Sequence, residues 1–329
     1  MHILAGLLAA LAVFVGGYKN LAASMASFVA DPQPQQQATV LFGGDMMFDR
    51  TVRTAMKWRG GDFIFSCIDP LLQAQDLVVA NLEGPITPHA SVSASSTPGD
   101  PFNMTFTFPL STADLLYRYN IRIVNLGNNH IENFGIGGVR STVAALDAAH
   151  VDYFGVPSEA LACPSVALCE GGAKEGDPIS RRVASANIDG IPLAFINYNE
   201  FAGDPARNAV TTISQIKAAR FAGFLPIVYT HWGIEYATIS PQYIRDLAHR
   251  FVDAGAEIVI GSHPHVVEDH ELYNGKYIYY SLGNFIFDQY FSDEVRHGLL
   301  LQIVFTSAGT RSIKEIPIVL NRDRTTCAQ

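Results

Sequence analysis

Five short, β-branched apolar runs in this 329-residue chain each stop at a cluster of metal-ligand residues, and that recurrence constrains the fold more than any other feature. Residues 39–42 lead into Gly43-Gly44-Asp45, 77–80 into Asn81-Leu82-Glu83, and 121–126 into Gly127-Asn128-Asn129-His130. Residues 224–229 lead into Thr230-His231-Trp232-Gly233, and 256–260 into Gly261-Ser262-His263-Pro264-His265. Open α/β sheets build their sites where strands end and loops converge. The pattern therefore gathers Asp, Glu, Asn and His at one edge. Imidazole mixed with carboxylate suits zinc, manganese or iron, whereas calcium and magnesium prefer oxygen alone. A site for one or two divalent ions is expected.

Between these runs the chain alternates strand and helix signals, as a layered α/β domain does. Helices are expected over 49–57, 111–119, 137–150, 212–222 and 241–254, the last ending at Gly255. Asp189-Gly190 and Asn274-Gly275 predict hairpins, between 182–188 and 192–197 and between 266–272 and 276–282. Residues 105–108 alternate like a half-buried strand. Residues 299–305 and 313–319 read as closing strands, 89–101 as an exposed loop, and 163–177 as a Gly-rich surface excursion. No interior linker divides the chain, so 38–320 is expected to form one domain followed by a tail, 321–329.

The first thirty residues differ from the rest. Residues 3–17 are uncharged, Lys19 is the only charge before Asp31, and a polar Pro/Gln linker occupies 31–37. The apolar run lies between a secretory core of about 7–15 residues and a spanning helix of about 20. It fits a signal anchor, with a cleaved signal peptide as the alternative. Either puts the folded domain outside the cytoplasmic membrane, anchored in the first case and secreted in the second. Net charge is −9, which disfavours nucleic acid as a partner. Four cysteines allow three pairings. Cys163 and Cys169 are close enough for a local bridge, and Cys67 and Cys327 are far apart.

The metal set expected from the strand ends is Asp45, Glu83, Asn129, His231, His263 and His265. On an extended segment the two rings of His263-Pro264-His265 would face one side. His130, beside a ligating Asn129, is placed to act as a general acid or as a donor to developing charge. Arg50 can clamp a phosphate or carboxylate, although a surface ion pair explains it equally well. Asn128, Glu235, Asn284 and Asp288 are candidates to line the pocket. The plainer readings are an N-cap for Asp45 and turn chemistry for Asn129 and Asn284.

Taken in order, the motifs Gly44-Asp45-Met46-Met47-Phe48-Asp49-Arg50, Asn81-Leu82-Glu83-Gly84-Pro85, Asn128-Asn129-His130, His231-Trp232-Gly233-Ile234-Glu235, Gly261-Ser262-His263-Pro264-His265 and Tyr280-Ser281-Leu282-Gly283-Asn284-Phe285 resemble the CapA family of capsule and poly-γ-glutamate synthesis proteins. That family in turn looks like a branch of the calcineurin-like metallophosphoesterases. The resemblance implies an αββα sandwich of two mixed sheets flanked by helices. By position, Asp45 matches the first aspartate, Glu83 the second-motif carboxylate, and Asn129-His130 the Asn-His pair. His231 matches the lone histidine, and His263 and His265 the final pair. Met47 stands where a histidine would ligate, and Asn133 where an acidic residue is usual. A thioether is a poor ligand for a hard ion, so one metal position is a ligand short. The implied function is a metal-dependent hydrolase-like step in surface-polymer synthesis. The implied partners are the polymer or its precursor, membrane synthase subunits, and the membrane through the N-terminal helix. The alternative is a non-catalytic accessory that holds polymer during export.

Overall fold

The structure, a computed structural model, describes residues 36–157 and 183–329. Its first sheet contains β1 (Ala38–Met46), β2 (Leu77–Leu82), β3 (Ile121–Asn125) and β4 (Asp152–Phe154). The second contains β5 (Val183–Ile188), β6 (Ile191–Asn199), β7 (Leu225–His231), β8 (Ile258–Ser262), β9 (His270–Tyr273) and β10 (Lys276–Tyr279). The chain then returns to the first sheet with β11 (Asn284–Ile286), β12 (His297–Thr306), β13 (Gly309–Leu320) and β14 (Thr326–Ala328). The order is β14-β13-β12-β1-β2-β3-β4, with β11 against the end of β1, and β5-β6-β7-β8-β10-β9 in the second sheet. Both sheets are mixed. β1 to β4 and β6 to β8 run parallel, while β12, β13, β5 and β9 pair antiparallel with their neighbours.

Strand alternation explains the layers. Val40 and Phe42 of β1 point inward with Val79 and Phe154, meeting Leu193, Phe195, Ile227 and Ile260 of the other sheet. Leu41, Val78, Ala80 and Val124 point outward and pack under the helices Arg50–Arg59, Thr112–Arg118 and Gly135–Ala148. On the far side, Val228 and Val259 are covered by Pro205–Phe221 and Gln242–Asp253 through Ile216, Ile244 and Phe251. Because central strands are buried on both faces, β2 is apolar almost throughout, as expected for a covered parallel sheet. The result is an α/β sandwich of two mixed sheets flanked by helices.

Several local expectations need correction. Residues 105–108 form no strand. Only the bridge between Phe108 and Ile86 remains, and the alternation reflects Phe106 and Phe108 entering the core from a loop. The hairpin at Asn274-Gly275 has regular strands only in β9 and β10, but its pairing continues in the same register to a bridge between Val267 and Leu282, close to the expected bounds. The helix before β7 starts earlier, at Pro205, where the Asp204 carboxylate caps Ala206 and Arg207. Residues 321–329 end in β14, which pairs with β13. Cys327 of β14 is disulfide-bonded to Cys67. Cys163, Cys169, the 163–177 excursion and the N-terminal apolar run lie outside the described residues. Among the described residues, no helix is long and apolar enough to cross a membrane.

Candidate metal centre

The strand ends do converge. Asp45 lies at the end of β1 and Glu83 directly after β2, while His265 follows β8; one ligand atom from each lies within 4.8 Å of the others. All three are buried. Asp45 Oδ1 accepts from Asn81 Nδ2 at 2.7 Å, and Oδ2 from the His263 backbone N–H at 3.1 Å. His265 Nδ1 stands 3.4 Å from Asp45 Oδ2, and its Nε2 stands 3.7 Å from Glu83 Oε1. His231, the last residue of β7, brings its ring centroid within 4.8 Å of that of His263. Asn129 Oδ1 lies 2.9 Å from His231 Nε2.

The hydrogen bonds bear on which nitrogens carry lone pairs. Asn284 donates through Nδ2 to Gln289 and to the Val295 carbonyl, so its Oδ1 accepts from His265 Nδ1 at 3.0 Å. That leaves His265 Nε2 unprotonated and facing Glu83. Ser262 spends its hydroxyl proton on the Thr230 carbonyl, so its oxygen can accept from His231 Nδ1 at 3.0 Å. His231 Nδ1 also lies 3.4 Å from the Asn81 amide nitrogen, and its Nε2 faces the Asn129 oxygen at 2.9 Å. An Nδ1 proton shared with Ser262 therefore competes with an Nε2 proton donated to Asn129. Neither Glu83 oxygen has a hydrogen-bond partner, and His263 Nδ1 has none. Buried acceptors facing one another are costly unless a cation or a proton sits among them. Asp45, Glu83 and His265 thus form a buried group that could hold a metal ion, with His231, His263 and Asn129 adjoining.

Burial dominates the electrostatics of the group. Burial alone would raise Asp45, but the hydrogen bond from His265, the neighbouring His265 and His231 rings and the Asn81 amide overcome it and hold the carboxyl at about 2. Burial, with Asp45 and Glu235 nearby, pushes Glu83 well up. Burial and neighbouring His265 lower His263 to about 3, and burial with His263 lowers His231 well below its usual value. These rings are neutral at pH 7, the form that ligates metal.

A second group borders the carboxylates. The Asn133 amide nitrogen donates to the Met104 carbonyl and lies 3.2 Å from His130 Nδ1, so the neutral ring keeps its proton on Nε2. That nitrogen is 4.0 Å from Glu83 Oε1. Burial, aided by His265, lowers His130 to about 4. Arg50, at φ 48°, pairs through Nη2 with Asp288 at 2.5 Å and lies over Phe106 and Phe287. Its pairing is thus half internal, not a free clamp. Met47 is turned into the outer core, where its sulfur accepts the Asp49 N–H, and offers nothing to the site.

Of the residues expected to line the pocket, Asn128 holds Asn81 and the Leu82 carbonyl and accepts the His130 N–H. Asn284 orients His265, Asp288 holds Arg50, and Glu235 is half-buried, close enough to raise Glu83. His263 (φ 102°) and His265 (φ 59°) are not on a strand; left-handed backbone at both turns them to the site instead. Sequence reasoning missed three participants. Asn81 binds Asp45, Asn125 and Asn128 together, Ser262 meets His231 Nδ1 at 3.0 Å, and Phe201 covers the His263 ring at 4.2 Å. A polar Asn inside the apolar run of β2 was the signal available for the first.

Comparison with known proteins gives the family. Residues 39–289 match the family described as bacterial capsule synthesis protein PGA_cap. The chain is 27% identical over 288 residues to the PGA biosynthesis protein CapA of Bacillus subtilis (strain 168), covering 84% of this chain and 70% of that protein. It is 26% identical over 298 residues to the capsule biosynthesis protein CapA of Bacillus anthracis, covering 86% and 67%. A Mycobacterium tuberculosis (strain ATCC 25618 / H37Rv) protein carrying the description of a polyglutamine synthesis accessory protein is 30% identical over 220 residues, covering 60% and 56%. With its strand-end site and a family match over most of its length, the chain belongs to the PGA_cap family of bacterial capsule synthesis proteins.

Proposed function

We propose that the protein acts outside the cytoplasmic membrane in the synthesis of poly-γ-glutamate or another surface polymer, through a metal-dependent hydrolase-like centre. The observation that carries the chemistry is the unpartnered, buried Glu83 carboxylate facing the lone pair of His265. A bound divalent ion would supply Lewis-acid polarisation of a phosphoryl or acyl oxygen. Around it, His130 presents a neutral Nε2–H to a leaving or developing oxyanion, Asn284 holds the His265 ring in its ligating tautomer, and Ser262 orients the His231 ring. Export is supported by the Cys67–Cys327 disulfide, since such bridges persist in oxidising compartments. The apolar N-terminal run is the anchor in this reading.

Metal analysis of the purified protein tests it. Wild type should hold zinc, manganese or iron stoichiometrically and hydrolyse a generic phosphoester. His265→Ala should lose the metal; His130→Ala should keep it but lose turnover by about 10²–10⁴-fold. Wild type that takes up none of the three metals sinks the proposal. A second reading, a non-catalytic accessory in export, is favoured by the internal Met47, which leaves one ion position without a ligand. Metal retained with no turnover of any phosphoester or γ-glutamyl bond would favour it.

A further inference from the structure

A second opening lies at the other end of the sheets. His263 follows one end of β8, and Glu257 precedes the other. Six residue steps along the extended strand separate Glu257 from His263 by about 20 Å. At the Glu257 end a cavity of about 420 Å³ lies between the β9–β10 hairpin and the start of β13.

Its floor is Glu257, which is buried. Glu257 accepts from Lys276 Nζ and the Thr310 backbone N–H at 2.8 Å each, and from Arg220 Nη2 at 2.7 Å. Gly309, at φ 113°, lets the β12–β13 turn close on this carboxylate; a Cβ there would meet Glu257 Oε1 at 2.5 Å. Two cations against one carboxylate leave the floor positive. The register then slips: Val304 faces Ser312 and Phe305 faces Thr310, so Arg311 is the extra residue of a β-bulge. Bulges re-aim a side chain, and this one brings Arg311 to the cavity beside Thr310 and Ser312. No acid partners Arg311 among the described residues, and the Thr310 hydroxyl is buried without a partner. Further along the same strand Glu315 Oε1 takes the Tyr279 hydroxyl at 2.9 Å and lies 3.8 Å from His270 Nε2, while Oε2 has no hydrogen bond among the described residues.

We propose that this cavity binds a small organic carboxylate bearing a hydroxyl or amino group near the acid. Arg311 and the Thr310 hydroxyl take the carboxylate, a fork-to-carboxylate geometry that a lone lysine does not provide. Glu315 Oε2 takes the neighbouring donor. An amino acid and a sugar acid both carry this chemistry. The site shares no residue with the metal centre, so it stands or falls independently of the function proposed above.

Titration calorimetry on the full chain, with L-glutamine, D-glucuronate and acetate as probes, tests the proposal. One or both of the first two should bind saturably, at least about tenfold more tightly than acetate. Which one binds identifies the source. Arg311→Gln should weaken binding at least about tenfold, and Glu315→Gln should erase the preference over acetate. His265→Ala should leave binding unchanged, separating this site from the metal centre. The idea is overturned by equal binding of acetate, by Arg311→Gln that binds like wild type, or by no saturation of either probe up to about 10 mM.

Discussion

Glu268 is buried to 5% exposure, and neither of its oxygens has a hydrogen-bond partner. Burial, reinforced by Asp269 and only partly offset by Arg245, raises its carboxyl to about 8 from 4.5. The folded protein therefore keeps a proton that the unfolded chain releases. Its favourable contribution is fully present below pH 4.5 and is lost as the pH rises through 8. Glu268→Gln should raise stability at pH 7 by roughly 1–3 kcal/mol and flatten the decline across that window. Urea midpoints measured from pH 4 to 9 check this; a variant that tracks wild type at every pH refutes it. Glu83 is the same problem with a different remedy. Saturating metal should stabilise wild type by about 2.7 kcal/mol at a hundredfold excess over Kd, and chelation should remove that gain. Glu83→Gln should show little of the metal-dependent rise in melting temperature, and an undiminished rise would show that Glu83 is no ligand.

At the level of strands and turns, close backbone approach decides where the ligands point. A Cβ on Gly44 would meet the Gly283 carbonyl at 1.9 Å, and one on Gly261 would meet the Tyr280 carbonyl at 1.9 Å. Neither neighbour is a flexible side chain, so the strands would have to separate. Gly44→Ala should cost roughly 1–3 kcal/mol or more and lower metal content, because Asp45 and Asn284 sit on the two strands it pushes apart. Gly137→Ala, on an open helix face with nothing within 4 Å, should instead stabilise by about 0.5–1 kcal/mol. Retained metal in the first variant would break the argument. The strand ends were legible beforehand because each β-branched run stops abruptly at a polar cluster. Periodicity misled at Phe106 and Phe108, which alternate like strand residues although a loop delivers them to the core. It also misled at His263 and His265, whose convergence depends on left-handed backbone, a property no residue pattern announces for histidine. Ser262 was hidden for a related reason, since the ring it contacts lies more than thirty positions away, whereas Asn284 was expected at the pocket but not as the partner that orients His265.

For the whole described molecule, the Cys67–Cys327 disulfide closes a loop of 260 residues, a pairing that spacing alone left open among three. It ties β14 beside the helices of the first sheet. The same segment reaches toward the site: Thr326 donates to the Phe285 carbonyl at 2.7 Å, and Arg324 Nε donates to Thr51 Oγ1 at 2.7 Å. Thr51 in turn donates to Asp288, the partner of Arg50. Closing so long a loop restricts the unfolded chain and should contribute about 3–5 kcal/mol, discounted for residual structure in that state. The double variant Cys67→Ala/Cys327→Ala should lose that amount in denaturant unfolding and become sensitive to proteolysis after Leu320. Its metal content should hold, because Asp45, Glu83 and His265 are positioned by β1, β2 and β8 without help from β14. Arg50 should loosen, so any weakening of substrate binding should appear in KM before it appears in metal stoichiometry. Unchanged stability would show that β14 is held by its ladder to β13 alone, and loss of metal would show that the closing strand supports the centre directly.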